Sequence, residues 1–247
     1  DTGDRGTASG PRARPDRGHK RTRGRLRHRR AGDGDYGAVR QDDRVPRIRG
    51  ASIEEHHEMV WADLAEALRQ LLLERDYDSI TMGHIAARAG LARNTLYNYA
   101  RDKSALVQAL TERAAQPAVA RVAAIAARSE EPATERMRDI IEAFLRASTD
   151  QALQPMFRPG SGPLVAEVPK GPDNPFNAIV AEVENVVRDG ITLGEFRDVD
   201  DVPLTVELLS GVVRAGAERI GRDQAAFAPT LSAVQGIVLA ALTHPAT

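Results

Sequence analysis

Hydrophobic positions in this chain recur at three- and four-residue steps, and the stretches between them carry helix-capping residues, glycine and proline. Val60, Trp61, Leu64, Ala67, Leu68, Leu71 and Leu72 make one such stripe, opened by Ser52 and Glu55 as an S-x-x-E capping box, and predict a helix over 52–74. Thr81 suits the N-cap of a short helix over 82–89, and Gly90 supplies the left-handed turn at its end. A second short helix follows over 92–99. Asp102 caps a third, carrying Leu106 and Leu110 and ending near Ala115. Two short helices across a glycine, braced by longer ones, read as helix-turn-helix.

Beyond them, Pro117 opens an alanine-rich helix over 117–129. Thr134 opens another, with Met137, Ile140, Ile141, Phe144 and Leu145 as its apolar face. Six prolines between 150 and 175 predict a long loop interrupted by at most one helical turn. Helices return over 175–189, 202–220 and 229–243. No alternating strand pattern occurs, so the expected fold is all-α: a disordered basic extension over 1–50, a three-helix head over 51–101, and a helical body over 102–247.

Composition narrows the function. The chain has 247 residues, 42% of them apolar, and no cysteine, which excludes disulfides, thiol nucleophiles and cysteine-ligated metals. The most apolar stretch, 231–242, is shorter than a bilayer-spanning helix. No apolar run follows the basic N-terminus, so no signal peptide and no membrane association are expected, and the location is cytoplasmic. The net charge of −1 hides an asymmetry, since residues 1–50 hold 15 Arg/Lys against 7 Asp. Seven of those cations fall within 19–30, which reads as a phosphate-binding arm. The competing reading is a solvated charge run or a start-site artefact.

Residues 80–103 read ITMGHIAARAGLARNTLYNYARDK. With Ile85-Ala86, Ala89-Gly90, Thr95-Leu96-Tyr97 and Lys103 in that order, the segment resembles the TetR family of bacterial transcription regulators. Leu91, Leu96, Ile85 and Ala86 are expected to share a small core, leaving Arg93, Thr95, Tyr97 and Asn98 outward. No acidic residue lies between 79 and 101, whereas 53–78 holds eight, as a phosphate-facing surface requires. The resemblance assigns Thr95, Tyr97 and Lys103 to phosphates, and the hydroxyl or backbone amide of Thr81 is a further candidate contact on the same strand. Arg93, Asn94 and Asn98 fall to base reading, Arg suiting guanine and Asn adenine. Tyr99 is either a DNA contact or a packing residue. Ala92 stands where a capping Ser or Thr is usual, Ala100 replaces a bulkier apolar residue, and Gly83 replaces a side chain that relatives use.

The resemblance also implies a body that binds a small-molecule effector and dimerises through its last two helices, with no cofactor and no catalytic residue. Ser210, Gly211, Ala215 and Gly216 permit close helix approach, and Leu231, Val234, Val238, Leu239 and Leu242 offer an apolar partner face or an ordinary core. Phe144, Phe157 and Phe176 are candidate pocket residues, with Arg138, Glu142 and Arg146 as candidate polar groups. An Asp189-Gly190…Gly194-Glu195-Phe196-Arg197 segment is similar to linkers between late helices of the family. The implied function is a ligand-relieved repressor binding a pseudo-palindromic operator as a dimer. Competing readings are an activator, a non-specific nucleic-acid binder driven by the tail, or a small enzyme or metal protein using Glu54, Glu55, His56, His57 and Glu58. Adjacent His56 and His57 diverge by about 100° on a helix, so no metal site is expected there.

Overall fold

Ser52 accepts a hydrogen bond from the Glu55 amide at 3.0 Å and starts α1 (Ile53–Glu74), which buries Val60, Leu64, Ala67, Leu68 and Leu71. This computed structural model describes residues 52–244; the expected disordered extension over 1–50 lies outside them. A 3-10 turn (Tyr77–Ser79) leads to α2 (Met82–Arg88) and α3 (Arg93–Tyr97), the helix-turn-helix pair. Then come α4 (Lys103–Ala126), α5 (Ala133–Ala147), α6 (Gly162–Ala166), α7 (Asn177–Thr192), α8 (Val202–Arg222) and α9 (Phe227–Leu242). No strand occurs among the described residues.

Two expectations need correction. The helices predicted to break between Ala115 and Pro117 are one, α4, with Pro117 inside it. Proline there removes an amide donor and crowds the carbonyl four residues back, at about 3 kcal/mol. Burial of Ala115, Ala118, Val122, Ile125 and Ala126 in continuous register with Leu106 and Val107 offsets that cost. The loop over 150–175 holds more than one turn: 3-10 turns at Gln154–Phe157 and Gly171–Asp173 flank α6. Three of its six prolines, Pro155, Pro163 and Pro172, stand at the first or second position of these elements, where a missing amide is harmless.

The body closes through contacts distant in sequence. α4 packs on α5 and α7, while α8 packs on α9 and α7. Arg136, only 1% exposed, donates from Nη1 to the Ala126 carbonyl at 2.9 Å and to Asp189 at 3.0 Å, tying the end of α4 to α7. α5 starts after Pro132, which has no side-chain oxygen to cap it; the Glu195 carboxylate accepts from the Ala133 and Thr134 amides at 3.0 Å each. Arg197 donates to the Leu242 carbonyl through its amide and to the Ala241 carbonyl through Nε, both at 2.8 Å, closing the end of α9. Gly190 leaves room for the buried Phe196 ring, which any Cβ there would overlap.

Of the apolar residues on α9, Val234, Val238, Leu239 and Leu242 are buried within the chain's own core. The stretch Gln224–Leu242 is 19 residues with mean hydropathy 1.7, long and apolar enough by those measures to cross a bilayer, unlike the shorter stretch read from sequence. A third of that window is already buried in the fold.

Burial raises the Glu195 pKa, but the Thr134 and Ala133 hydrogen bonds and nearby Arg136 outweigh it, and the net shift is downward from 4.5. A depressed carboxylate stabilises the fold above its unfolded pKa and loses that contribution as pH falls through the folded value. Glu195→Gln is therefore expected to lower stability at pH 7 by about 1 kcal/mol, the usual worth of a helix cap. It should also flatten the loss of stability below pH 4.5, as read by urea denaturation across pH.

Candidate nucleic-acid interface

The geometry of α3 follows from three local features. Thr81 and His84 form a reciprocal capping box at the start of α2: the His84 amide donates to Thr81 Oγ1 at 3.2 Å, and the Thr81 amide donates to His84 Nδ1 at 3.3 Å. Gly90 takes φ +68°, a conformation strained for any side chain, and turns the chain between α2 and α3. Ile85, Ala86 and Leu96 are buried and Leu91 packs against them, fixing α3 on α2.

With Leu96 inward, Arg93, Asn94, Tyr97 and Asn98 are all exposed, at steps of one, three and one that share a helix face. Arg93 donates to the Tyr97 hydroxyl at 3.4 Å, with its guanidinium 5.8 Å from the Tyr97 ring centre. Thr95 is half-buried at the edge of this face, and Thr81 is exposed at the start of α2. Gly83 leaves the adjoining surface bare, since a Cβ there would meet only Thr81 Oγ1 at 3.7 Å.

Three arginines fall in the acid-free segment, and they are not equivalent. Arg88 is bound to Glu74 at 2.7 Å and to Gln70 at 3.3 Å, and Arg101 lies 3.3 Å from neighbouring Asp102. Arg93 makes no ion pair among the described residues and is the cation of α3 facing solvent.

Two tyrosines stand apart from that face. Tyr99 is half-buried and packs edge-on against Trp61 at 5.3 Å and His57 at 5.6 Å, and burial raises its pKa. Tyr77 is buried, its carbonyl accepting from Lys103 Nζ at 2.9 Å and its ring lying 3.9 Å beneath the same ammonium. Lys103 is thus clamped to the turn before α2, with two N–H donors left. This clasp has no signature in sequence spacing, because 26 residues separate the partners. The candidate metal cluster on α1 is dispersed: His57 stacks on Tyr99, Glu58 pairs with Arg113, and Arg113 covers Trp61 at 4.9 Å.

In the body, α5, α6, α7, α8, α9 and the turn at Gln154–Phe157 line a partly open cavity of about 290 Å³. Phe144, Phe157 and Phe176 all line it, Phe144 meeting Phe157 and Phe176 near edge-to-face at 6.1 and 6.5 Å. Arg138, Glu142 and Arg146 do not line it: Arg146 pairs with Glu142 at 2.6 Å and Arg138 with Glu135 at 3.8 Å on the outer face of α5. The polar lining comes from Ser210, read from sequence only as a small residue permitting close helix approach, and from Asn174 and Arg214, which sequence periodicity gave no reason to single out. A cleft of equal volume between α1, α4 and residues 150–164 shares Met156 with this cavity, but it carries Glu66, Arg69 and Asp150 and no aromatic ring.

Residues 64–110 match the family model described as "Bacterial regulatory proteins, tetR family". The fatty acid degradation regulator FadR from Bacillus halodurans shares the fold with TM-score 0.61 at 16% identity, over 75% of this chain and 97% of that one. FadR from Bacillus subtilis, solved with stearoyl-CoA, does so with TM-score 0.59 at 16% identity, over 75% and 98%. SmeT, solved with triclosan, does so with TM-score 0.55 at 16% identity, over 75% and 92%. No curated protein matches the sequence.

Ala92 is the N-cap of α3, with the extended backbone of a cap (φ −65°, ψ 142°) and no side-chain oxygen. Ala92→Ser is expected to stabilise the protein by about 1 kcal/mol. Thermal unfolding at fixed protein concentration reads the gain, and an unchanged midpoint would mean that α3 is held by its core contacts alone.

Proposed function

Since the chain carries a tetR-family head on the fold of that family's solved regulators, we propose that it is a homodimeric, effector-relieved transcriptional repressor of the cytoplasm. The observation that carries the reading is the exposed face of α3, where Arg93, Asn94, Tyr97 and Asn98 stand together in a segment, 79–101, without an acidic residue. In this reading Arg93, Asn94 and Asn98 meet base edges in the major groove. Thr81, Thr95, Tyr97 and the free donors of Lys103 meet phosphates, while Tyr99 braces α3 on α1.

In this reading the protein works as two copies, and apolar exposure supports the pairing. Reading two successive major grooves needs two α3 helices about 34 Å apart. On α8, Leu204 and Leu208 are 51% and 66% exposed, and on α9 Ile237 is 54% exposed. Gly211 and Gly236 have open space where a Cβ would stand. A two-fold partner pairing α8 and α9 with their copies covers this face. It also accounts for the apolar exposure of α9 without a membrane.

The effector occupies the Phe-lined cavity. Stearoyl-CoA in the Bacillus subtilis FadR structure and triclosan in that of SmeT support an apolar or aromatic occupant. Occupancy favours a head spacing that no longer fits successive grooves, and the affinities of effector and operator are then reciprocally linked.

Fragments of the source genome captured by the protein and resolved by gel shift at about 150 mM salt test the reading, because non-specific binding is already weak there. A pseudo-palindromic site is expected, with Arg93→Ala weakening it by about 1–3 kcal/mol, the worth of one bidentate base contact. Binding without sequence preference, indifferent to Arg93→Ala and lost on deleting residues 1–50, would replace the repressor with a non-specific polycation.

A further inference from the structure

The Phe-lined cavity borders a basic groove. Phe157, Val165 and Arg214 line both, and Arg158, Lys170, Glu218 and Arg222 line the groove, which has a volume of about 550 Å³. The groove therefore carries four cations against one carboxylate. That carboxylate, Glu218, accepts from Arg214 Nε at 3.2 Å, whereas Arg158, Lys170 and Arg222 make no ion pair among the described residues. Like charges gathered without counter-charges repel one another, and an anion between them relieves that repulsion.

The cavity on the other side of Arg214 has the opposite chemistry. Its wall is three phenyl rings and aliphatic side chains, and two of its three polar residues already serve the backbone. The Ser210 hydroxyl donates to the Val206 carbonyl at 2.8 Å, and Asn174 Oδ1 accepts from the Phe176 amide at 2.9 Å. Such a cavity welcomes hydrocarbon and has little to offer a charge. The shared edge is fixed in place, because Gly221 lets α8 lie against the Phe157 carbonyl and any Cβ there would overlap it.

From this juxtaposition we infer that the effector is an anionic amphiphile, with its hydrocarbon part in the cavity and its carboxylate or phosphate head passing Arg214 into the groove of Arg158, Lys170 and Arg222. The inference rests on the effector-binding reading above and adds the ligand's chemical class.

Calorimetry on the full chain with dodecanol, dodecanoate, dodecyl phosphate and dodecanoyl-CoA, which share one chain length, tests it. The anionic probes are expected to bind at least about tenfold more tightly than dodecanol. Combined Arg158→Glu, Lys170→Glu and Arg222→Glu, all outside the apolar core, should erase that preference and leave dodecanol binding unchanged. Phe144→Ala should weaken all four probes alike, and a circular dichroism melt checks that each variant folds. Dodecanoyl-CoA binding above dodecanoate points to a polyphosphate head, and equal binding to a simple carboxylate. Dodecanol binding as tightly as the anions, or charge reversal without effect on them, overturns the inference. Binding is read without DNA, so a probe that binds as expected yet leaves operator DNA bound counts against effector relief and not against the ligand class.

Discussion

Pro117 sits inside a helix that the fold requires to be unbroken. α4 begins at the Asp102 cap, clamps Tyr77 through Lys103, and buries Leu106 and Val107 in the core. Past the proline the same helix buries Val122 and Ile125 in the body and delivers the Ala126 carbonyl to Arg136. Full burial of one such aliphatic side chain is worth about 1.5–3 kcal/mol, so two of them match or exceed the cost of the proline.

A second connection runs beside it. Val165 of α6 lines the Phe-lined cavity, and two residues on Glu167 accepts from the buried Tyr77 hydroxyl at 3.0 Å. Burial first, and the Glu167 carboxylate next, push the Tyr77 pKa up, keeping the phenol a neutral donor. The Tyr77 carbonyl is held in turn by Lys103. Under the proposed function, an occupant that moves α6 acts on the turn leading into α2, while one that moves α5 acts on α4 through Arg136. Both routes are chains of packed, hydrogen-bonded groups, and coupling energies at Glu167 and Arg136 would distinguish them.

Sequence reading was strongest where the determinants are local. Ser52, Thr81 and Asp102 act as caps, Gly90 takes the left-handed turn, and Leu96 fills the core, because each answers to neighbours within a few residues. It failed at Pro117, where the local rule against proline yields to burial supplied by α5 and α7. The Glu195 cap on α5, the Arg197 closure of α9 and the buried Arg136 bridge were invisible because their partners lie 61, 44 and 53 residues away. In the candidate site, the outward set on α3 followed from a helical period. The polar lining of the cavity did not, since Asn174 and Arg214 are brought there by packing between elements.

Hydroxyl-radical footprinting of the full chain on a captured DNA site bears most directly on the claim that paired α3 helices read a duplex. The account predicts two protected patches on one face of the DNA, centred about one helical turn apart, and both lost together with Arg93→Ala. A single patch, or continuous protection whose extent follows protein concentration and ignores Arg93, would contradict it.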